Sequence, residues 1–458
     1  MENTEKMTVE EMLEKIEAIK EEIVAERAAI EQIKEDARRY RREAQNALAN
    51  ARTAAGIAVL GEQKQSWVKD VPAIRQAHEC YDAGESAYLM FRNRATREEY
   101  DAYCADLEAA GYQKHLDDAE GAGIYSFYYN KEAVVSVYFG THDSALRAVV
   151  EPAAETALVP KGLIRDGSKR TPLCFVQMED HLNEVVNCGM SYIFRLGDGS
   201  FIIFDGGWDT EPIADSLYEK LVALAEGGEI VISGWFMTHA HIDHIGAFYP
   251  FARKYADKVT LKRVIFNYPG ESRMTEMGDT FVQRYVHKWR EHVAMFKDAV
   301  CIKARTGQRF HFDGLDLDIL FTYEDYMMPR PLRTFNDTSL VFRVTACGET
   351  YMFLGDASET MSGILVQKYG ELLKSDIVQV AHHGFGGGTK EVYDAIQAPI
   401  VFWPICYEDP GSHTPLYRDP EWSPITREMI RDWATDVYVQ CEGTRTLLMP
   451  LKDKKELK

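Results

Sequence analysis

Residues 1–55 repeat apolar side chains with the alternating three- and four-residue spacing of a coiled coil. One heptad position runs from Val9 to Ala51, and a second begins at Met12 and is interrupted only by Glu26. The stretch lacks proline and is rich in helix-forming Glu, Lys, Arg and Ala. Because a lone helix of this length is marginal in water, the pattern predicts a homo-oligomer held by this helix, or else a helix packed along its own chain.

Residues 84–152 have the pattern of a small α+β domain with the order β-α-β-β. Thr96 and Glu99 have the spacing of a capping box and predict the start of its helix. The apolar runs that predict its strands are 86–91, 124–129 and 133–139, with 145–150 as a further strand. Residues 56–83 are then a connector and residues 153–171 a linker. The aromatic strands are typical of core packing, with ligand stacking as the alternative.

From residue 172 to 450, apolar strands alternate with helical segments, and four of the strands end at chemically distinctive residues. These endings are Asp205-Gly206-Gly207, His239-Ala240-His241-Ile242-Asp243-His244, Gly355-Asp356 and His382-His383-Gly384. Imidazole and carboxylate groups suit zinc, manganese or iron. A surface loop that holds three histidines by chance is the alternative, but the whole chain has only 13 histidines.

The order of these motifs resembles the metallo-β-lactamase fold superfamily over roughly residues 172–450. In that family, an aspartate placed like Asp205 supports the metal loop without binding metal, and one placed like Asp356 bridges two ions. The resemblance implies an α/β fold, an αββα sandwich with the metals in the cleft at one edge of its sheets. The N-terminal coiled-coil helix and the small α+β domain would precede this domain.

The resemblance also implies a set of metal ligands. They are His239 and His241 for the first ion, Asp243 and His244 for the second, Asp356 shared, and one histidine of the pair 382–383 for the second ion. We assign His382 to the metal and His383, with Asp243, to the catalytic residues, although the sequence does not distinguish the two adjacent rings. The expected cofactors are two divalent transition-metal ions, zinc or manganese, with one strongly bound ion as the alternative.

One motif departs from the family pattern. Many members carry a further histidine before the bridging aspartate, where this chain has Asn336-Asp337-Thr338-Ser339-Leu340. This segment, together with the Gly-Asp-Ala and His-His-Gly motifs, resembles the ComEC/Rec2-type branch, which is named for a DNA-uptake protein. Asn336 or Asp337 could supply an oxygen ligand, which would shift the preference toward manganese or magnesium. The alternatives are that water fills the gap or that Asn336 only caps the turn.

Charge and composition limit the partners. The 458 residues carry a formal net charge of −20, which disfavours tight binding to duplex DNA. The sequence shows neither an apolar run long enough for a membrane span nor the pattern of a signal peptide, so we expect a stand-alone cytoplasmic protein. No two of the eight cysteines have the spacing of a redox or zinc motif, and we expect reduced thiols.

These observations predict a metal-dependent hydrolase that uses a metal-activated hydroxide. The resemblance to the ComEC/Rec2-type branch favours a phosphodiester or other phosphoester of a nucleotide or short nucleic acid. The alternative within the same fold is a lactone, thioester or amide hydrolase. A third class, a non-catalytic scaffold acting through the coiled coil, is disfavoured because most metal motifs are intact.

Overall fold

In the computed structural model, the parts of the chain that can be described are residue 20 and residues 65–119, 123–179, 188–277, 280–326, 332–405 and 424–456. The predicted coiled coil of residues 1–55 lies outside these ranges, apart from Lys20.

A six-stranded antiparallel sheet occupies residues 79–152, in the order β1-β2-β6-β5-β4-β3. Its strands are β1 (Glu79–Asp82), β2 (Tyr88–Arg92), β3 (Gln113–Asp118), β4 (Gly123–Tyr129), β5 (Ala133–Gly140) and β6 (Leu146–Pro152). Helix α1 (Arg97–Ala109) begins at the predicted capping box, in which Thr96 and Glu99 bond to each other's backbone N–H groups. The β-α-β-β prediction omitted two strands, β1 and β3.

The rest of the described chain forms two eight-stranded sheets. The first holds β8 (Cys174–Gln177), β9 (Ser191–Arg195), β10 (Phe201–Asp205), β11 (Val231–Met237), β12 (Thr260–Leu261), β13 (Arg263–Phe266), β14 (Val300–Lys303) and β22 (Arg445–Leu448). The second holds β7 (Leu163–Ile164), β15 (Arg309–Phe312), β16 (Leu315–Phe321), β17 (Val341–Ala346), β18 (Glu349–Phe353), β19 (Ile377–Gln379), β20 (Ile400–Trp403) and β21 (Asp436–Val439). Both sheets mix parallel and antiparallel pairs.

The helices divide between the two sheets. Those that follow strands of the first sheet are α2 (Glu211–Ala225), α3 (Ile242–Ile245), α4 (Phe248–Tyr255), α5 (Glu271–Met277) and α6 (Thr280–Val293). Those that follow strands of the second sheet are α7 (Glu359–Tyr369), α8 (Lys390–Ile396) and α9 (Pro424–Trp433). The mixed α/β class expected from the sequence is confirmed.

Three hydrophobic layers stack through this part of the molecule. The central layer joins the two sheets and is strongly aromatic, with Phe204 packed between Phe236 and Phe342. One outer layer joins the first sheet to α2, α4 and α6, and the other joins the second sheet to α7, α8 and α9. The central strands are buried on both faces, which explains why they occur in the sequence as continuous apolar runs.

Strand β6 fixes the small sheet to the rest of the molecule through buried charges. Glu151 is fully buried and pairs with Lys303 and Arg305. Arg147, on the same face of the strand, lies 3.4 Å from Asp325. Since successive side chains of a strand alternate between its faces, residues 147 and 151 point the same way and carry opposite charges. This arrangement specifies one docking register for the small sheet.

The structure also bears on two expectations from the sequence, one about the cysteines and one about membrane spans. Cys188 is disulfide-bonded, so the expectation of reduced cysteines is wrong at this residue. Spacing along the chain does not reveal which thiols folding brings together.

Among the described residues, no helix combines the length and the apolar character that a membrane crossing requires.

Candidate metal centre

The motif residues converge because their strands run side by side. Strands β10 and β11 are parallel neighbours in the first sheet, and β18 and β19 are parallel neighbours in the second. The loops that leave the carboxyl ends of such strands emerge at the same sheet edge. Asp205 and the His239–His244 segment therefore lie together, as do Asp356 and the His382-His383 pair.

Asp205 supports the loop that carries the histidines. It ends β10 with a positive φ of 55° and is fully buried. Its carboxylate accepts hydrogen bonds from Thr238 N at 2.8 Å, from Thr238 Oγ1 at 2.7 Å and from His244 Nδ1 at 2.8 Å. The carboxylate belongs to neither ligand cluster, so its contacts are those of a group that orients metal ligands from behind.

The first ligand cluster comprises His239, His241 and Asp356, whose ligand atoms all lie within 4.8 Å of one another. His239 Nε2 is 3.0 Å from His241 Nδ1 and 3.7 Å from Asp356 Oδ2. His239 is fully buried, and residue 241 forms the N-terminal cap of α3. Two imidazoles and one carboxylate thus face a common point.

The second cluster comprises Asp243, His244 and His383, with ligand atoms within the same 4.8 Å limit. His244 Nδ1 donates to Asp205, and His383 Nδ1 donates to the carbonyl of Pro404 at 2.7 Å. In its neutral form each ring therefore presents an Nε2 lone pair, and these two nitrogens are only 3.3 Å apart. Two lone pairs at this distance repel each other unless a proton or a metal ion lies between them. The donor set therefore fits a divalent transition metal.

Asp356 lies between the two clusters with one oxygen toward each. Its Oδ1 is 3.1 Å from His244 Nε2 and 3.7 Å from His383 Nε2. Its Oδ2 is 3.7 Å from both His239 Nε2 and His382 Nε2. The buried Oδ1 has no hydrogen-bond partner among the described residues, which again fits an ion as its partner.

The two adjacent histidines differ from the sequence assignment. His383 is 1% exposed and belongs to the second cluster, whereas the side chain of His382 is 33% exposed and belongs to neither cluster. The geometry therefore favours His383 over His382 as the ligand of the second cluster, the opposite of the assignment made from the sequence. Both residues have positive φ, 48° and 53°, a backbone conformation that is uncommon for residues other than glycine.

Asn336 and Asp337 have different surroundings. Asn336 Nδ2 lies 3.1 Å from His382 Nε2, and Asn336 Oδ1 is buried without a hydrogen-bond partner among the described residues. Asp337 accepts hydrogen bonds from Tyr326 Oη at 3.2 Å and Arg333 N at 2.8 Å. Neither residue belongs to a ligand cluster. Asn336 is thus connected to the centre through His382, whereas the Asp337 carboxylate bonds to Tyr326 and to the backbone of Arg333.

Electrostatics favours positive charge between the clusters. Burial lowers the pKa of His244, but the carboxylates of Asp356 and Asp205 outweigh it and hold this pKa well above its ordinary value. Burial raises the pKa of Asp356, but the His244 and His383 rings outweigh it and hold this pKa well below its ordinary value. The pKa of His239 is well below its ordinary value, because of burial and the neighbouring charge on His244.

Two residues that support the chain around Asp356, Gln379 and Ser339, were not given this role from the sequence. Gln379 Oε1 accepts hydrogen bonds from Leu354 N and Gly355 N, both at 2.9 Å, and so holds the chain that leads to Asp356. Ser339 Oγ accepts a bond of 3.2 Å from Asp356 N. A polar Gln379 inside an otherwise apolar strand was the available signal. The histidines at 287, 292 and 311 lie in neither cluster, and each contacts a neighbouring oxygen instead.

Comparison with known proteins identifies the domain that holds these clusters. Residues 187–398 match the family model described as "Metallo-beta-lactamase superfamily". A search of curated proteins gave no match.

Solved structures resemble the chain at low identity. YhfI from Bacillus subtilis, a metallo-beta-lactamase fold protein, is 13% identical with a TM-score of 0.36, over 60% of this chain and 99% of its own. Unliganded yeast PDE1 is 11% identical with a TM-score of 0.37, over 61% and 100%. CmlA, a diiron beta-hydroxylase from Streptomyces venezuelae, is 12% identical with a TM-score of 0.36, over 61% and 55%. These values are too low to indicate an activity. The family match and the ligand motifs agree: residues 187–398, which hold both ligand clusters, are similar to the metallo-beta-lactamase superfamily.

Proposed function

We propose that this chain is a metal-dependent phosphodiesterase acting on a nucleotide or a short nucleic acid. The observation that carries the proposal is the position of Asp356, which directs Oδ1 toward one ligand cluster and Oδ2 toward the other. A carboxylate in this position suits a pair of zinc or manganese ions. Such a pair, when bound, supplies an activated water and neutralises charge on the phosphoryl oxygens.

The protein's own groups have separate roles in this proposal. Asp205 holds His244 in the tautomer that leaves Nε2 available, and the carbonyl of Pro404 does the same for His383. Asp243, whose side chain is 21% exposed, is the more open of the two carboxylates in the ligand clusters. It would orient the attacking water by accepting one of its protons.

His382 is the group to which we assign proton transfer to the leaving oxygen. Its side chain is 33% exposed, and it lies outside both ligand clusters. Asn336 holds it from one side through the 3.1 Å contact with Nε2. An imidazole in this position can contact a substrate oxygen without giving up a metal ligand.

The charge of the chain limits the size of the substrate. At a formal net charge of −20, the protein repels a long polyanion, since binding one depends on displacing counterions with basic side chains. A substrate with one or two phosphates is repelled much less. We therefore propose mononucleotide esters or short single strands rather than duplex DNA.

Hydrolysis of matched chromogenic substrates tests this proposal. Full-length protein, stripped with chelator and reloaded with zinc or manganese, is assayed with bis-p-nitrophenyl phosphate, a chromogenic lactam and a chromogenic ester. We expect metal-dependent hydrolysis of the phosphodiester, loss of activity with chelator, and loss in Asp356→Ala. Asp101→Ala is the matched control, because Asp101 is an exposed aspartate on α1.

The alternative activities give different results in the same assay. Preference for the lactam or the ester over the phosphodiester would replace the proposal with carbonyl hydrolysis. Equal activity of Asp356→Ala and the parent protein would remove Asp356 from the centre of the reaction.

A further inference from the structure

The chain leaves the metal centre through a glycine-rich loop, residues 384–388, in which Phe385 is the one large side chain. The ring centroid of Phe385 lies 5.9 Å from that of His382 and 5.8 Å from that of His383. Phe385 is 41% exposed, although most of the ligand residues beside it are fully buried. An exposed aromatic ring next to a buried polar cluster is typical of a ligand contact.

A cavity of about 110 Å³ opens beside this ring. Phe385 and Ile425, which is 37% exposed, are its two large apolar wall residues. Ala381 and Tyr393 also line it, together with glycines of the loop. Since one water occupies about 30 Å³ of liquid, the space suits a single ring rather than an oligomer or a long acyl chain.

The glycines keep this wall in place. A Cβ atom at Gly387 would lie 2.3 Å from the carbonyl oxygen of Ala357, and one at Gly388 would lie 2.5 Å from Tyr393 Oη. Tyr393 Oη in turn accepts a hydrogen bond of 3.1 Å from Ala381 N. The loop is therefore packed closely against its surroundings at Gly387 and Gly388.

The chemistry of the cavity differs from that of the metal clusters. Its described lining residues include no charged side chain, so a phosphate placed there would find no cation. The anionic part of a substrate belongs at the metal clusters, and an uncharged part belongs in the cavity. A flat ring with a few polar edge atoms, attached to a phosphate, has this division of charge.

We propose that the cavity beside Phe385 binds the nucleobase of the substrate, with the base stacked on the Phe385 ring. The proposal rests on the proposed phosphodiesterase function and names its substrate as a nucleotide ester. Base–aromatic stacking tolerates different bases, so Phe385 would select a nucleotide over a simple phosphate ester more strongly than one base over another.

Equilibrium binding to the metal-loaded, full-length protein tests this inference. The two probes are adenosine 5′-monophosphate and ribose 5-phosphate, which share the phosphorylated ribose and differ in the base. Isothermal titration calorimetry should give a Kd for the nucleotide that is roughly 5- to 100-fold lower, the range expected for one stacked base. Phe385→Ala should bring the ratio of the two Kd values close to one.

Three further variants separate stacking from general apolar contact. Phe385→Tyr should keep the ratio, and Phe385→Leu should lose it, because leucine fills space without offering an aromatic face. Leu163→Ala is the matched control, since Leu163 is a 54% exposed apolar residue on strand β7, away from the loop. It should bind both probes as the parent protein does.

The outcomes distinguish this inference from the function it rests on. Equal affinity of the parent protein for both probes, failure of both to bind, or a ratio retained in Phe385→Leu would overturn the stacking site. Hydrolysis of bis-p-nitrophenyl phosphate is measured on the same samples. Hydrolysis without base preference leaves the phosphodiesterase and removes the base site. Base-dependent binding without hydrolysis leaves the site and removes the phosphodiesterase.

Discussion

Replacing Asp205 with asparagine is the sharpest perturbation of the metal centre that leaves every ligand in place. The carboxylate accepts three hydrogen bonds, two from Thr238 and one from His244 Nδ1. An amide of the same shape keeps only one accepting oxygen. If that oxygen stays with Thr238 N, the amide NH₂ faces His244 Nδ1, which must then become an acceptor. The proton of His244 would move to Nε2, the atom that faces Asp356 and His383.

The magnitude follows from these contacts. A His244 ring protonated at Nε2 has no lone pair for an ion. If the ring keeps its original tautomer instead, its Nδ1–H faces the NH₂ group of the new amide, and two donors without an acceptor cost about 1–3 kcal/mol. Outer-sphere changes of this kind lower metal affinity about 10- to 100-fold, equivalent to roughly 1.4–2.7 kcal/mol, so the two estimates agree. We expect Asp205→Asn to weaken the second ion by this factor and to lower hydrolysis in parallel.

Competition with a chromogenic chelator measures the affinity, and circular dichroism checks the fold. Asp198→Asn is the matched control. Asp198 is also a buried aspartate, and it accepts hydrogen bonds from Ser200 and from the backbone N–H groups of Asp166 and Gly167. It lies just before β10, whereas Asp205 is the last residue of that strand. Unchanged metal affinity in Asp205→Asn, or an equal loss in Asp198→Asn, would refute the tautomer argument.

Other predictions concern docking, acid stability, proton transfer and assembly. Glu151→Gln should lower the free energy of unfolding by about 3–5 kcal/mol, because Lys303 and Arg305 stay buried without their counter-charge; urea unfolding with no loss would contradict the docking argument. Burial raises the pKa of Glu151, but Arg305 and Lys303 outweigh it and lower the pKa below 4.5. The difference in the free energy of unfolding between the parent protein and Glu151→Gln should therefore be complete above pH 4.5 and fall as the pH drops through the folded pKa. A difference that grows in acid would contradict this prediction. His382→Gln should slow the hydrolysis of phosphoesters with poor leaving groups more than that of p-nitrophenyl phosphoesters. Equal slowing of both would exclude His382 as the proton donor to the leaving oxygen. Deleting residues 1–55 should convert an oligomer into a monomer that keeps its metal, and light scattering that finds a full-length monomer would remove the coiled-coil prediction.

The sequence predicted the elements whose signal is local. The buried strands that end at the metal motifs are apolar throughout, and the capping box of Thr96 and Glu99 marks the start of α1. Strand β3 was missed because its sequence, Gln-Lys-His-Leu-Asp-Asp, lacks an apolar alternation. It lies at the edge of the sheet and pairs with β4 alone, so its side chains remain largely in solvent. Edge strands of this kind carry little hydrophobic pattern.

The parts of the site that the sequence could not assign depend on backbone direction and on distant partners. His382 and His383 are adjacent and chemically identical, and only the folded structure shows that the ring of His383 is buried and lies in the second cluster. The buried charges Arg147 and Glu151 stand in an apolar strand, which was a visible irregularity. Arg147 has a near partner in Asp143, but Asp325, Lys303 and Arg305 lie more than 150 residues away and are brought close only by folding.

Anomalous diffraction from crystals of the zinc- or manganese-loaded protein tests the central claim most directly. The account predicts two peaks, one enclosed by His239, His241 and Asp356 and the other by Asp243, His244 and His383. Asp356 should lie between the two peaks, and His382 should lie outside the coordination of both. A folded, reloaded protein without a peak at either cluster, or with an ion held by His382 in place of His383, would contradict it.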